Sequence, residues 1–579
     1  MRQTRGQELA ISELRLMAHA LSRRFVWAAC AGFAISLLAF LLFSPTNFIG
    51  HLVDLVTGHL TLEVRKLPIL GVRESDIHNY AKALAQVEHE LYFWEVLIWT
   101  FSLSTLLVFS MLTYLFWKQG ENDKLDHYKR GSQLLYPLIH NKFMRREYRK
   151  NPPHEMGIPL ALGREKVLIP ESLQYRHFAF VGASGYGKST AIEEVLAHAR
   201  KHKHKALVVD LNGVFYSKFG RANDRLLSLR DERSLAWDFW HEPVATPKNI
   251  AAAIVEEETS GNSFFYKSAR EVLSALLRMN NSLNELIEDL DRPQPELKER
   301  LRMKGETALK MLGEGTGDQA DGVMGTAVLD FGFLKRLASK NGDRLPFSIS
   351  QWMNDPTDSS WVFLTVDDVG LKESQPLLRV WFELACLAAL SRNPLQAKQP
   401  HTWLVIDEAK SMGQLPSLPA ILDKGRKHNV SVVLGFQAFS QIKKIYGEHD
   451  SNAIFQGLQN QFFFRMTDVE CARYASDVLG EEEVDAASLG MSYGESDTSL
   501  RGSINHARVR RKIVMPEEIR NQKILHAFAK ICHHQPVKLS FSPSAYAALN
   551  EPFVLSPVNE FTSAMAPEFG VYSASSIRE

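Results

Sequence analysis

Eight residues about a third of the way along the chain have the types and spacing of a phosphate-binding loop. They read Gly182-Ala183-Ser184-Gly185-Tyr186-Gly187-Lys188-Ser189, after a short apolar run and before a helix-like stretch from Thr190. Glycines let consecutive backbone N–H groups turn around a polyphosphate, and the start of the following helix adds partial positive charge. Lys188 is placed to reach the β and γ phosphates, and the Ser189 hydroxyl to bind Mg²⁺. The octet and Thr190 are therefore predicted to bind ATP with Mg²⁺.

A second apolar run, residues 402–406, ends in two carboxylates, Asp407 and Glu408. This pattern is typical of a buried parallel strand that delivers acids to the carboxyl edge of a sheet. Asp407 would hold Mg²⁺ through water, and Glu408 would polarise the water that attacks the γ-phosphate. The alternative is a strand that ends in a solvated acidic turn, and the phosphate-binding loop at 182 makes this alternative less favoured. The pair therefore predicts hydrolysis as well as nucleotide binding.

Two further polar residues follow the acid pair, and each has two interpretations. Gln437 comes just after an apolar strand, residues 430–436, where it could sense the γ-phosphate or equally cap a helix that starts near Phe439. Arg426 lies between the two strands, where an arginine can project into the site of a neighbouring subunit. Taken alone, its basic cluster is more often a solvated helix end.

Composition narrows the class of protein without deciding it. The 579 residues are 45% apolar with a net charge of +1, so nucleic-acid contacts must come from local patches or from a ring of subunits. The basic segments 201–205 and 508–512 could contact phosphates, although each alone is more often solvated surface. The four cysteines lack paired C-x-x-C spacing, which argues against a zinc ribbon or a disulfide framework.

Two charge-free runs near the N-terminus, residues 25–43 and 96–117, are long enough to cross a bilayer. Basic residues precede the first run and follow the second, which puts both flanks in the cytoplasm and residues 44–95 outside. A cleaved signal peptide is the alternative for the first run, but no small-residue cleavage site follows it. We expect a multi-pass membrane protein with the bulk of the chain cytoplasmic.

The chain is predicted to be an α/β protein with a doubly wound parallel sheet, because apolar strands alternate with helical stretches. Helical periodicity without strand signals marks an all-α block within it. The predicted divisions are a membrane anchor over 1–150, a nucleotide-binding domain over 151–245 and 346–550, an all-α domain over 246–345, and a flexible tail over 551–579.

These motifs, in this order, resemble the type IV secretion coupling protein family, the TraD/TraG-type ATPases of conjugative DNA transfer. The matching strings are GASGYGKS, LVIDEA, LDKGRKHNVSVVLGFQ and VMPEEIRN, together with the two N-terminal spans. The resemblance implies a RecA-like domain and an all-α domain in a hexameric ring under an inner-membrane stem. It also implies roles for particular residues: Lys188, Glu408, Arg426 and Gln437 in catalysis, with Arg426 acting in trans and Gln437 as sensor, and Ser189 and Asp407 at the metal.

The function implied is an ATP-driven, DNA-dependent translocase that recruits relaxase-bound single-stranded DNA to a type IV secretion channel. Its implied partners are single- or double-stranded DNA without sequence preference, the relaxosome, the membrane, and the inner-membrane components of the secretion system. Three alternatives stay open: an FtsK-like DNA translocase, a secretion ATPase or receptor for proteins only, and a scaffold whose nucleotide site only switches assembly. An ABC transporter is disfavoured, since no LSGGQ-like signature lies between the nucleotide motifs.

Overall fold

The computed structural model describes residues 21–38, 48–67, 71–124, 127–150, 158–256, 263–312, 322–325, 332–393, 400–493, 500–543 and 546–556. The chain divides into two compact units, residues 1–130 with 483–510 and residues 131–482 with 511–579. Most of the predicted tail, and the last five residues of the first predicted span, lie outside the described residues.

The first unit contains three N-terminal helices and a small sheet. The helices are α1 (Leu21–Leu38), α2 (Phe48–Arg65) and α3 (Glu74–Lys124), and α1 and α3 each contain an apolar window of membrane-spanning length. Gly32 on α1 packs directly against Thr105 on α3, where any side chain at 32 would collide with the threonine hydroxyl. Small residues at such crossings let apolar helices approach closely. Strands β1 (His127–Gly131), β11 (Glu481–Tyr493) and β12 (Leu500–Lys512) form a sheet in the order β1-β11-β12.

The second unit is built around a nine-stranded sheet in the order β14-β13-β10-β4-β9-β8-β5-β7-β6. Neighbouring strands from β10 to β6 pair in parallel, and β13 and β14 add an antiparallel edge. The strands are β4 (Phe178–Val181), β5 (Lys205–Leu211), β6 (Arg225–Leu227), β7 (Trp361–Val366), β8 (Thr402–Ile406), β9 (Val430–Phe436), β10 (Asn460–Phe463), β13 (His526–Ile531) and β14 (Val537–Ser540). A separate ribbon pairs β2 (Leu160–Leu162) with β3 (Val167–Ile169).

Helices cover both faces of this sheet because the strands are apolar on both sides. Phe178 and Phe180 belong to one core cluster, whereas Ala179 and Val181 belong to the other. Such alternation is expected when successive side chains of a strand point to opposite faces. The α/β class with a mostly parallel sheet and two N-terminal apolar helices is thereby confirmed.

The main helices of the second unit are α4 Pro137–Lys150, α5 Glu171–Gln174, α6 Lys188–Lys201, α7 Val214–Phe219, α8 Pro247–Ile254, α9 Ser263–Met279, α10 Leu283–Leu290, α11 Gln294–Met303, α12 Phe333–Asn341, α13 Ile349–Asn354, α14 Leu371–Ser391, α15 Leu418–Lys424, α16 Phe439–Gly457, α17 Val469–Leu479 and α18 Pro516–Arg520. Short 3₁₀ turns follow at Thr307–Leu312, Ala409–Met412 and Gly425–His428. Between β6 and β7 the described chain contains helices α8 to α13 and a 3₁₀ turn, and they pack into one core cluster with the sheet.

Candidate nucleotide site at the carboxyl edge of the sheet

The glycine-rich loop lies between the end of β4 and the start of α6. Gly185 and Gly187 have φ angles of +80° and +109°, a region that residues with a Cβ rarely adopt. A Cβ at Gly187 would also lie 2.9 Å from Leu525 Cδ2. The Ala183 amide donates to the Arg465 carbonyl at 2.8 Å, which fixes one side of the loop, while Ser184 and Gly185 are exposed at its tip. The backbone is thus shaped and held as a cradle that opens outward.

Lys188 closes the base of this loop. Its side chain is buried, and its Nζ donates to the carbonyls of Gly182 at 2.7 Å and Ala183 at 3.0 Å. Burial lowers the pKa of Lys188, while the nearby carboxylates of Asp407 and Glu408 oppose that shift. The structure therefore places this cation among the loop carbonyls and next to the two acids.

Asp407 follows the last residue of β8 and faces Ser189 at the start of α6. Ser189 Oγ donates to Asp407 Oδ2 at 2.7 Å. Burial raises the pKa of the Asp407 carboxyl, whereas the Ser189 hydrogen bond and the Lys188 charge oppose the rise. Its other oxygen, Oδ1, is buried and has no hydrogen-bond partner among the described residues.

The residues present fit a magnesium nucleotide. A hydroxyl and a carboxylate oxygen are donors that Mg²⁺ prefers, and it binds through few protein ligands plus phosphate and water. The unpartnered Asp407 Oδ1 and the Ser189 hydroxyl supply such donors beside the glycine cradle. Gly435 makes this arrangement possible, because a Cβ there would lie 2.0 Å from the Asp407 carbonyl oxygen.

Glu408 and Gln437 meet across the ends of two neighbouring strands. Gln437 Nε2 donates to Glu408 Oε1 at 3.1 Å, and both side chains are half-buried. Parallel β8 and β9 are in register here, so the residues that follow them reach the same edge of the sheet. The glutamine amide therefore touches the carboxylate and does not serve as a side-chain cap of α16, for which Ala438 is the N-cap residue.

Arg426 lies at the opposite edge of the sheet. It is exposed in the 3₁₀ turn that leads into β9. The preceding Gly425 packs against His177, which stands immediately before β4, whereas the glycine loop follows β4. The structure thus separates Arg426 from the other predicted site residues of its own chain.

Tyr186 is accommodated within the loop by contacts that the sequence did not indicate. Arg465 Nη1 donates to the Tyr186 hydroxyl at 2.6 Å, and the Leu525 amide donates to the Tyr186 carbonyl at 3.2 Å. Both partners are hundreds of residues away along the chain. Thr190 continues α6 one residue beyond Ser189 and is half-buried.

A polar stripe on α14 supports the segment that follows the acid pair. Gln375 donates to the Ser411 carbonyl at 3.0 Å, and Glu383 accepts from the Ser417 amide at 3.0 Å. The two residues lie on one helix face with Arg379 between them at four-residue spacing. Polar residues at that spacing in an otherwise apolar helix were the sequence signal available for this support.

Some cations of the two basic segments considered as DNA contacts are engaged within the protein. Arg511 pairs with Glu482 at 2.8 Å, Lys512 with Asp477 at 2.5 Å, and Arg508 lies 3.4 Å from Glu483. Lys205 is buried at the start of β5. These contacts favour the structural interpretation of Lys205 and of residues 511–512, whereas Lys201 and Lys203 are exposed.

A parallel sheet with a glycine cradle after one strand, an acid pair after another and helices on both faces defines a RecA-like P-loop nucleoside-triphosphatase fold. Residues 162–540 match the family model described as the type IV secretion-system coupling protein DNA-binding domain. The chain belongs to the type IV secretion coupling protein family.

Similar proteins give the same assignment. The coupling protein TraD of Escherichia coli (strain K12) is 24% identical over 466 residues, which is 78% of this chain and 64% of TraD. The type IV secretion system-coupling protein VirD4 of Bartonella henselae is 25% identical over 357 residues, which is 57% of this chain and 53% of VirD4. The chain thus spans less than two thirds of the length of either relative.

Among solved structures, the bacterial conjugative coupling protein TrwBdeltaN70 has a TM-score of 0.62 at 25% identity, covering 74% of this chain and 96% of that one. TrwB in complex with ADP and Mg²⁺ gives a TM-score of 0.62 at 24% identity, covering 74% of this chain and 98% of that one.

Proposed function

We propose that this chain is a membrane-anchored, DNA-dependent ATPase that brings relaxase-bound single-stranded DNA to a type IV secretion channel and helps to move it across. The observation that carries the proposal is the assembly of Lys188, Ser189, Asp407 and Glu408 at one sheet edge, in a chain that also has two helices of membrane-spanning length. A hydrolytic site joined to a bilayer anchor suits a motor that works beside a membrane channel.

The cofactor proposed is ATP with Mg²⁺, in keeping with the ADP and Mg²⁺ in the TrwB complex. When bound, it supplies the phosphoryl group that water cleaves and the cation that offsets the charge. Lys188 Nζ would leave the loop carbonyls that it now contacts and bind phosphate oxygens. Glu408 would accept the proton of the attacking water, and the Gln437 amide that now contacts it would hold the γ-phosphate side of the site.

The proposed working assembly is a homo-hexameric ring in the bacterial inner membrane. The exposed position of Arg426 at the opposite edge of the sheet supports this proposal, because in a head-to-tail ring one subunit's opposite edge faces the next subunit's nucleotide edge. Arg426 would then stabilise charge on the transferring phosphoryl group of the neighbour. DNA in the channel would be held through its phosphates, a grip that does not depend on sequence.

The test is a mating assay in a strain that lacks this protein, complemented with the full chain. Lys188→Ala should abolish DNA transfer while the protein stays in the membrane fraction. Lys444→Ala, at an exposed position on α16 and outside both basic segments, is the control and should transfer normally. Normal transfer by Lys188→Ala would disprove the motor function.

ATP hydrolysis by the purified full chain distinguishes the remaining functions. The proposal requires that DNA of any sequence stimulate hydrolysis, and that salt weaken the stimulation. A protein-only receptor would hydrolyse ATP without responding to DNA. A scaffold that only switches would keep its function in a Glu408→Gln variant, because it needs no base.

A further inference from the structure

The first helix of the second unit, α4, exposes apolar side chains on its outer face. The exposed fractions of Tyr136, Leu138, Ile139 and Phe143 are 71%, 82%, 45% and 53%. These residues occur at positions that share one side of a helix, with Tyr136 just before its start. A contiguous apolar patch on a protein surface usually marks an interaction site.

The helix is fixed in place by its other face, so this exposure is not the result of a loose segment. Asn141 Nδ2 donates to the Lys166 carbonyl at 3.0 Å, and Asn141 Oδ1 accepts from the Leu168 amide at 2.9 Å. Met144 is 1% exposed, and His140 is buried against β3. His140, Asn141 and Met144 thus face inward, and the four exposed apolar side chains face outward.

Three cations occupy the same outer face. Lys142, Arg145 and Arg146 are all exposed, and residues 132–146 contain no aspartate or glutamate. We call these cations and the four exposed apolar side chains the α4 face. Apolar and basic residues together on an exposed helix are typical of helices that lie in the interface of an anionic bilayer.

We propose that the α4 face docks on the anionic headgroup surface of the membrane that holds the chain. This inference rests on the proposed membrane anchoring. Only twelve residues separate the end of α3 at Lys124 from Pro137 at the start of α4, a link of at most about 40 Å when fully extended. Charge decides between partners, because anionic lipid attracts each cation near its surface, whereas an uncharged apolar protein groove would leave three cations without counter-charge.

Docking would attach the second unit to the bilayer directly, in addition to the anchoring by the apolar spans. The apolar side chains would enter the boundary between headgroups and acyl chains, and the cations would contact lipid phosphates. The strength of the contact should fall with added salt, because surface charges separated by more than a Debye length are screened.

The test uses the full chain in lipid nanodiscs that contain a photoactivatable phosphatidylglycerol, with adducts mapped by mass spectrometry. Adducts should form on peptides that contain residues 136–146 and should become several-fold fewer in high salt. Peptides around Met303 and Lys304, an exposed apolar and basic pair at the C-terminal end of α11, are the matched control and should carry none. Adducts on the apolar spans report anchoring independently.

Two variants test the two components of the α4 face. Replacing Lys142, Arg145 and Arg146 by Gln should reduce the adducts by about fivefold for each cation, and Leu138→Ser with Phe143→Ser should reduce them in low salt as well. Spans that are labelled without labelling of α4 would overturn the docking and leave the anchoring intact, whereas unlabelled spans would overturn the anchoring itself. Labelling of α4 that does not change when phosphatidylcholine carries the photoprobe would refute the anionic surface as its partner.

Discussion

Arg426 gives the sharpest test of the proposed ring, because its own chain offers it no nucleotide. The turn that carries it packs through Gly425 against His177, at the start of β4, and the phosphate loop begins at Gly182, after β4. A strand rises about 3.3 Å per residue, so roughly 16 Å separate His177 from Gly182. An arginine side chain is about half that length. Arg426 should therefore act on a neighbouring subunit or not at all.

The expected loss on removing it is large. An arginine that stabilises the charge of phosphoryl transfer contributes about a thousandfold or more to turnover. Arg426→Ala should thus lower DNA-stimulated ATP hydrolysis to near background and leave ATP binding largely unchanged. Lys427→Ala, the next residue and equally exposed, is the matched control and should behave like the unchanged protein.

Mixing two inactive variants separates action in trans from action in cis. Rings are assembled from equal amounts of Lys188→Ala and Arg426→Ala chains. If Arg426 acts in trans, a site works when its loop comes from an Arg426→Ala chain, which keeps Lys188, and its arginine comes from a neighbouring Lys188→Ala chain, which keeps Arg426. Random assembly gives about one quarter of sites that combination, so about a quarter of normal hydrolysis should return.

The assay is ATP hydrolysis with saturating DNA, measured on rings mixed before assembly and on each variant alone. If Arg426 acted within its own chain, no mixed site would hold both intact residues and hydrolysis would stay at background. Full activity of Arg426→Ala alone would refute any role in catalysis. Either result would contradict the reasoning from the edges of the sheet.

Three further predictions follow from contacts around the site. Glu408→Gln should bind ATP and lose about 10²- to 10⁴-fold in hydrolysis, since general base catalysis contributes that much; equilibrium binding and turnover measured together check this. Gly435→Ala should lower the free energy of unfolding by about 1–3 kcal/mol and weaken Mg²⁺-ATP binding, because the added Cβ has no room. Gly325→Ala, with no atom within 4 Å of the added Cβ, is the control and should change neither quantity. Urea titration measures the stability, and equilibrium binding measures the affinity. Burial holds the pKa of His204 at about 4 against a usual 6.5, so the native state resists protonation, and stability present above pH 6.5 is lost as the pH falls towards 4; His204→Gln should reduce that loss by up to about 1.4 kcal/mol per pH unit, measured as unfolding free energy at several pH values.

The parallel strands could be predicted because their sequences leave little choice. Runs such as 430–436 carry apolar side chains at consecutive positions, with Ser431 as the polar exception, which is typical of a strand buried on both faces, and each is bounded by turn residues. Strands β6, β13 and β14 lack this signal: β6 has three residues, and β13 and β14 mix polar and apolar side chains as an antiparallel edge does. Their assignment depends on what they pair with.

Some features of the site could likewise be predicted from the sequence, and others could not. The loop and the acid pair are local patterns, and parallel strand order brings their ends to one edge. The Glu408–Gln437 contact follows from the register of β8 and β9, which the sequence alone does not specify. Arg465 supports the loop from a distant position in the sequence, so no local pattern could reveal this contact.

The contacts of the segment that follows Glu408 explain why its carboxylate has a defined position. Arg379, 2% exposed on α14, donates to the carbonyls of Ala253 and Ile254 at the end of α8 and to Glu256 at 2.7 Å. Glu256 in turn accepts from the Gln414 amide at 2.8 Å, just beyond the turn that follows the acid pair. A buried charge that loses its partner costs several kcal/mol, so the segment cannot shift alone without leaving Arg379 or Glu256 short of a contact. Any displacement of Glu408 must therefore be shared with α8, the first helix between β6 and β7, or be resisted by it.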